Sequence, residues 1–322
     1  MVGLATYRNS IRDGTPLLRP SASTDRIRND TKNLTAPILI ALYPLFNSFM
    51  EHDYAITFAC YNAVHYTRTF VESLIKVGTP LSRVVVVDNG STDETRDYLQ
   101  TLPLGGRIFN KSNQACGVAW NQGILHLQAE WNIVMNNDVI VPPEWINHLI
   151  QTAIDNNLSV ISPALIEGEL DYDFDEFTLA SSAKMQNVFR HQTQHAGCIW
   201  IHRSVFHEIG YFRANPKLLG FEDAIFFNDL AKSNFRRAIN GRVWLHHFGS
   251  ITQKEMKQKM GKSEKEVLVK VNSRQLLQQS WIERKIARHR VKQQQRDWQQ
   301  AELSAYGMTL HGERVNHAFA WR

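Results

Sequence analysis

Four consecutive valines, residues 84–87, constrain the fold of this chain more than any other feature. A run of β-branched residues without polar alternation is typical of a parallel strand that is buried on both faces. Residues 54–60 predict another buried strand, and apolar residues between them recur at helical spacing over 64–77 before Gly78 and Pro80. The order strand, helix, strand predicts an α/β protein with a central, mostly parallel sheet.

The same alternation continues through the next 170 or so residues, in short elements of ordinary length. Further strands are predicted at 108–109, 133–135, 158–161, 195–201 and 243–247, and helices at 118–127, 144–156, 204–209 and 220–233. Ser91 or Thr92 is the predicted cap of a helix that follows the valine strand. The acidic stretch 167–176 lacks the central glycine and the closing glutamate of a calcium loop, so we expect a solvated loop there.

The sequence divides into three parts. Residues 1–53 are largely polar and predict a partly flexible N-terminal extension, and residues 54–252 form the α/β domain. Residues 253–322 predict a basic, helical C-terminal region, although no clear pattern extends beyond Ala305. Between residues 254 and 297 there are 13 Lys or Arg against 5 Asp or Glu, in a chain whose net charge is +5. The basic excess therefore belongs to one segment and does not indicate nucleic-acid binding.

Cysteine use and hydropathy predict the compartment. The three cysteines are widely spaced without a CxxC pair, which argues against a disulfide framework or a zinc site and favours a reducing compartment. No apolar stretch reaches membrane-spanning length. We expect a soluble, cytoplasmic protein whose C-terminal helices pack or form a homo-oligomer; a peripheral contact with the inner face of the membrane is the alternative.

Polar clusters follow the predicted strands at the points where they end. The clusters are Tyr61-Asn62, residues 88–91, residues 136–138 and His246-His247. The first three converge at one edge of a parallel sheet, where open α/β sheets place their ligands. A carboxylate flanked by amides suits a divalent cation that also holds phosphate oxygens, although Asn-Asn-Asp is also a common turn sequence. Neither a GxGxxG sequence after the first strand nor a Walker lysine motif is present.

Seven segments together resemble the family-2 glycosyltransferases, which are inverting enzymes of the GT-A fold, and their rhamnosyltransferase-like subgroup. The segments are 58–62, 87–93, 113–123, 136–138, 196–197, 220–223 and 247–250. The resemblance covers about residues 54–252. It implies transfer of a sugar from a UDP-, dTDP- or GDP-linked donor to a hydroxyl acceptor, such as a saccharide or a glycan precursor in polysaccharide biosynthesis.

The resemblance also implies roles for individual residues. Asp223 should be the catalytic base, and Glu222 should support it or bind the acceptor. Asp138 should bind Mn²⁺ or Mg²⁺, together with His247 or His246. The nucleotide sugar should be bound by Tyr61, Asn62, Asp88, Asn113, Asn121, Asn137 and Gly197.

Three positions depart from the family pattern, and several alternatives remain open. Asn136 stands where an aspartate is usual, Ala115 where glycine is common, and Ile225 where another acid is common. Asp88 could be only a turn residue, the pair Glu222-Asp223 could only complement a helix dipole, and the histidines could be structural. The alternative functions are a nucleotidyltransferase of related fold and a catalytically inactive nucleotide-sugar-binding module.

Overall fold

The fold is described by a computed structural model that covers residues 52–213, 222–249 and 280–322. The predicted N-terminal extension up to residue 51, the segment 214–221, and the part of the basic region from 250 to 279 lie outside the described residues. Within the described ranges, eleven strands form one sheet.

The elements alternate along the chain as the sequence predicted. The strands are β1 Tyr54–Cys60, β2 Val84–Asp88, β3 Gly106–Phe109, β4 Trp131–Met135, β5 Val139–Ile140, β6 Val160–Gly168, β7 Phe189–His191, β8 Cys198–His202, β9 Arg237–His247, β10 His311–Val315 and β11 Ala318–Trp321. The helices are α1 Val64–Lys76, α2 Thr95–Gln100, α3 Cys116–Leu127, α4 Trp145–Asp155, α5 Phe174–Met185, α6 Arg203–Ile209, α7 Glu222–Lys232 and α8 Trp281–Tyr306.

The first half of the sheet is parallel and contains the valine strand. The strand order β3-β2-β1-β4 is parallel throughout, and Cys60 of β1 pairs with Asp88 of β2. Beyond β4 the sheet is mixed: β8 is antiparallel to β4 and to β6, whereas β6 is parallel to β9 and to β10. The α/β fold with a central sheet and a C-terminal helix is thus confirmed, and four adjacent strands, from β3 to β4, form its continuously parallel part.

Helices cover both faces of this sheet. Alternate residues of β4 illustrate this, because Ile133 and Met135 join a cluster with α1 and α4, whereas Val134 joins a cluster with α3, α6 and α7. Gly123 lets α3 approach β1, since a Cβ atom at this position would lie 2.2 Å from Thr57 Cγ2. The site at the carboxyl edge therefore rests on a sheet that is packed on both sides.

Two local predictions were wrong. The acidic stretch 167–176 is a solvated loop only at residues 169–173. Glu167 lies near the end of β6, and Asp173 caps α5 by accepting a hydrogen bond from the Glu176 amide at 2.9 Å. Ser91 and Thr92 do not cap a helix, because α2 begins only at Thr95.

The C-terminal region adds a helix and a hairpin to the sheet. α8 begins with a capping box between Ser280 and Glu283 and ends at Gly307 in the left-handed conformation. Strand β10 then pairs in parallel with β6, and β11 pairs with β10 in an antiparallel hairpin. Among the described residues, none of the helices combines the length and the apolar character needed to cross a membrane.

Candidate active site

Asn62 ties together the loops that follow β1 and β2. Its Oδ1 accepts a hydrogen bond from the Thr92 amide at 2.8 Å, and its own amide donates to Ser91 Oγ at 2.8 Å. The residue adopts a left-handed conformation with φ of 54°, which asparagine tolerates better than most residues. Tyr61, half-buried, precedes it at the end of β1. Ser91 and Thr92 thus bind Asn62 and connect the two loops, and they do not cap a helix.

Asp88 is a fully buried carboxylate with an ion-pair partner. Arg96 donates to Asp88 Oδ2 through Nη2 at 2.8 Å and Nε at 3.2 Å, and the Ser91 amide donates to Oδ1 at 3.0 Å. A buried charge needs such compensation. Arg96 also lies over the Phe109 ring, 4.9 Å from its centroid. Arg96 was not predicted as a site residue, and its sequence signal is an arginine eight positions after Asp88, at the start of α2.

An amide network fixes the loop before α3. Asn113 Oδ1 accepts hydrogen bonds from Asn89 Nδ2 at 3.1 Å and from the Ala115 amide at 2.9 Å. Ala115 has φ of 69°, so the loop holds a non-glycine residue in the left-handed region. The network connects the ends of β2 and β3 and positions Asn113 at the same edge of the sheet as Asp88.

Asn121 lies on α3 and binds the backbone of Phe212 through both ends of its amide. Its Nδ2 donates to the Phe212 carbonyl at 2.7 Å, and its Oδ1 accepts from the Phe212 amide at 3.1 Å. The Phe212 ring stacks on Phe226 of α7 with the centroids 4.4 Å apart. Asn121 therefore supports the segment that leads to α7, which carries Asp223.

Asp138 and His247 form a buried pair where two strands end side by side. Val139 of β5 pairs with His247 of β9, which places Asp138 Oδ1 3.1 Å from His247 Nε2. The two side chains are each 5% exposed. Asn136 Nδ2 also lies 3.1 Å from His247 Nε2, so the amide and the carboxylate flank the same ring atom.

A second carboxylate contacts the other nitrogen of the same ring. Glu167 Oε1 lies 3.3 Å from His247 Nδ1, and Glu167 Oε2 lies 3.1 Å from His311 Nε2. Burial lowers the pKa of His247, but Asp138 and Glu167 more than offset this effect and raise it to about 9. Hydrogen bonds from His247 and His311 hold the pKa of Glu167 well below its usual range. The two carboxylates face the two nitrogens of one ring, and this arrangement favours the protonated form of His247.

His246 faces the other side of the sheet, as adjacent strand residues do. Its Nδ1 lies 3.0 Å from the Tyr172 hydroxyl, and its ring packs edge-on against Phe248 at 4.7 Å. Burial lowers its pKa to about 4. The structure thus brings His247, and not His246, next to Asp138.

Asn137 and Gly197 support the loop around Asp138. Asn137 is buried, and its Nδ2 donates to Thr67 Oγ1 of α1 at 2.9 Å. The Gly197 carbonyl accepts a hydrogen bond from the Asn136 amide at 3.1 Å. Both residues hold the turn between β4 and β5 in place.

Asp223 lies in the first turn of α7. Its Oδ1 accepts a hydrogen bond from the Ala224 amide at 2.8 Å. Burial raises the pKa of this carboxyl group, against the lowering effect of that hydrogen bond. A carboxylate whose pKa is raised holds a proton more strongly, as a general base requires. Of Glu222 only the backbone position at the start of the helix is described.

The residues fit a metal that is shared with a ligand. Among the described residues, none of the groups of three or more His, Cys, Asp and Glu has an arrangement that could hold a metal ion. The chain instead offers the carboxylate of Asp138 and the adjacent imidazole of His247. Mg²⁺ commonly uses one or two carboxylates, waters and substrate phosphates, and Mn²⁺ accepts the same oxygen ligands. This donor set suits a cation that binds together with a diphosphate.

Comparisons with known proteins find similarity to glycosyltransferases. The family model described as Glycosyl transferase family 2 matches residues 56–215. An uncharacterized glycosyltransferase of Rickettsia felis is 30% identical over 111 residues, which are 33% of this chain and 18% of that protein. An uncharacterized glycosyltransferase of Rickettsia typhi is 31% identical over 98 residues, which are 30% of each protein. The chain thus spans less than a third of the length of these relatives.

Solved structures resemble the chain more distantly. The Staphylococcus aureus TarS fragment 1-349 is 17% identical, with a TM-score of 0.47 and coverage of 63% of this chain and 61% of that one. The mannosyltransferase PcManGT from Pyrobaculum calidifontis, crystallised with GDP-Man and Mn²⁺, is 15% identical, with a TM-score of 0.46 and coverage of 72% and 71%.

Proposed function

We propose, from the premise that this chain carries a glycosyltransferase family 2 domain at residues 56–215, that it transfers a sugar from a nucleotide-diphosphate donor to a hydroxyl acceptor with inversion. The observation that carries the proposal is the buried pair of Asp138 and His247, 3.1 Å apart at the carboxyl edge of the sheet. We further propose that the donor carries a hexosyl or deoxyhexosyl group, as in the rhamnosyltransferase-like subgroup. The proposed acceptor is a saccharide or a glycan precursor.

The proposed donor pocket lies along the same edge. The loops after β1 and β2 meet at Asn62 and Asp88, and the amide network holds Asn113 beside them. Each oxygen of a carboxylate has more than one lone pair. Because Asp88 is fully buried, its contact with a nucleobase requires that a side chain covering it move, and the partly exposed Arg96 is the candidate. We assign the nucleotide sugar to a pocket formed by Tyr61, Asn62, Asp88, Asn113, Asn121, Asn137 and Gly197.

Asp138 and His247 are the proposed metal ligands, with Mn²⁺ or Mg²⁺ as the cation. When bound, such a cation neutralises the negative charge of the departing diphosphate. Asp138 would supply a carboxylate oxygen and His247 its Nε2, which must be unprotonated to bind a metal. His246 is left out of this assignment because its ring contacts Tyr172.

Asp223 is the proposed base. A single displacement at the anomeric carbon requires removal of the acceptor hydroxyl's proton as its oxygen attacks. Burial gives Asp223 the raised pKa that favours this role. Glu222, its neighbour in the first turn of α7, is assigned to the acceptor side.

The first test is thermal unfolding with UDP, dTDP and GDP, each with and without Mn²⁺. A ligand that binds the native state raises the midpoint by mass action. We expect one nucleotide to raise it more with Mn²⁺ than without, and the substitution Asp138→Ala to abolish only the Mn²⁺-dependent part. A midpoint that none of the three nucleotides changes would instead support an inactive module or another function.

A further inference from the structure

The charged network at the site extends from Asp138 into the C-terminal hairpin. Glu167 Oε2 lies 3.1 Å from His311 Nε2 and accepts a hydrogen bond from Arg322 Nη1 at 3.1 Å. Glu167 Oε1 lies 3.3 Å from His247 Nδ1. The Glu167 carboxylate thus connects the ring of His247 to His311 and Arg322, which lie more than 140 positions after Glu167 in the sequence.

The backbone holds these partners in register. In the pairing of β6 with β10, His311 is opposite Leu165 and Glu313 is opposite Glu167. In the pairing of β6 with β9, Glu167 is opposite His247. The Arg322 amide donates to the His311 carbonyl at 2.8 Å, so the two C-terminal partners of Glu167 are fixed to one hairpin.

We propose that Glu167, held by His311 and Arg322, is the positioning residue that orients His247 for the metal. The Glu167 carboxylate accepts a hydrogen bond from the Nδ1–H group of His247. The other ring nitrogen, Nε2, then faces Asp138. A histidine that binds a metal generally donates its other ring N–H to a carboxylate or carbonyl, which sets both tautomer and orientation. This inference rests on the proposed metal site, and it gives the C-terminal hairpin a role in the reaction.

The alternative is that Glu167 only fastens β10 to the sheet. The two roles differ in what a substitution changes. Loss of a fastening residue lowers stability and leaves the metal affinity of the folded protein unchanged. Loss of a positioning residue weakens metal binding by about 10- to 100-fold, even in protein that remains folded and binds the nucleotide.

The test measures Mn²⁺ affinity directly through the electron paramagnetic resonance signal of free Mn²⁺. The probe is Mn²⁺ with whichever of UDP, dTDP and GDP stabilises the wild-type protein most. We expect Glu167→Gln to raise the Mn²⁺ dissociation constant about 10- to 100-fold, and nucleotide affinity without metal to stay as in the wild type. Glu169→Gln is the matched control, because Glu169 is exposed two residues along the same chain segment.

A second variant replaces His311, which contacts Glu167 and not His247. His311→Gln is expected to weaken Mn²⁺ binding less than Glu167→Gln does, and it also serves if Glu167→Gln fails to fold. If Glu167→Gln folds and binds Mn²⁺ as tightly as the wild type, this inference is wrong while the proposed metal site stands. If Glu167→Gln does not fold, wild-type Mn²⁺ affinity in His311→Gln leads to the same conclusion. Nucleotide binding by the wild-type protein without any Mn²⁺ dependence overturns the proposed metal site, and this inference with it.

Discussion

Asp223 shows how one residue can acquire a distinct chemical character from its surroundings. Its carboxylate keeps one backbone hydrogen bond, from Ala224 at 2.8 Å, while burial raises its pKa. Asp229, one and a half turns later on α7, instead pairs with Arg213 at 3.2 Å near the surface. Two aspartates of the same helix therefore lie in different surroundings, and burial raises the pKa of Asp223.

Asp223→Asn should lower the transfer rate by about 10²- to 10⁴-fold, because the amide cannot accept the hydroxyl proton. Nucleotide affinity should stay as in the wild type, since the proposed donor contacts lie on other residues. The measurements are initial rates with the donor identified by thermal unfolding, and nucleotide titration. Asp229→Asn is the control on the same helix, and simultaneous loss of binding and transfer in Asp223→Asn would mean that the residue is structural.

The sequence predicted the position of Asp138 at the sheet edge, but it did not predict which side chains contact one another there. Asp138 follows a recognisable buried strand, so its place at the sheet edge could be read from the pattern. The choice between His246 and His247 depended on which side chain lies on the same face of the sheet as Asp138, and that follows only from strand register. Glu167 was assigned to a solvated loop, because its partners His247 and His311 are remote in sequence.

At the level of elements, a buried ion pair anchors α8 to the sheet. Arg190 of β7 donates to both carboxylate oxygens of Glu302, through Nε at 2.7 Å and Nη2 at 2.8 Å. The two side chains are 7% and 6% exposed. Glu302 also accepts from the Leu310 amide at 2.8 Å, at the start of the hairpin. The helix and the hairpin thus share one anchor.

Glu302→Ala should lower the free energy of unfolding by about 3–5 kcal/mol, because it leaves the Arg190 charge buried without its carboxylate. Urea unfolding followed by circular dichroism measures this difference. Asp297→Ala, on an exposed face of the same helix, should change it by about 0.5 kcal/mol or less. Equal effects of both substitutions would argue against the anchor.

Among the elements, those with a strong apolar pattern were predicted and those without one were missed. The strands of the parallel half are mostly apolar, so the sequence located them to within two residues. Strand β10 has the sequence His-Gly-Glu-Arg-Val, and it is held by backbone pairing with β6 and by ion pairs. Helix α5 was missed because its apolar residues do not gather on one face.

For the molecule as a whole, buried neutral histidines link stability to pH. His195 Nε2 lies 2.8 Å from the Pro163 carbonyl, and its Nδ1 is buried without a hydrogen-bond partner among the described residues. Burial lowers the pKa of His195 to about 4. The unfolded chain, with a histidine pKa of about 6.5, therefore binds more protons than the folded chain between these two values.

Stability should accordingly fall as the pH is lowered from about 6.5 to about 4, and this histidine contributes up to about 1.4 kcal/mol per pH unit. His195→Gln keeps a donor for the Pro163 carbonyl but does not titrate, so its stability should depend less steeply on pH over that range. Urea midpoints measured across the range give the slope, with the exposed His207→Gln as a control for the change of residue type. An unchanged slope in His195→Gln would contradict the assignment.

The parallel pairing of β10 with β6 also predicts a late step in folding. Contacts between residues that are distant in sequence form late, because the loss of chain entropy precedes the gain from the contact. Strands β1 and β2 pair after a short helical connection, whereas His311 meets Glu167 across 144 positions. A refolding chain should therefore regain its core first. Glu167, which contacts His247, should gain its own contacts with His311 and Arg322 only when the hairpin pairs with β6.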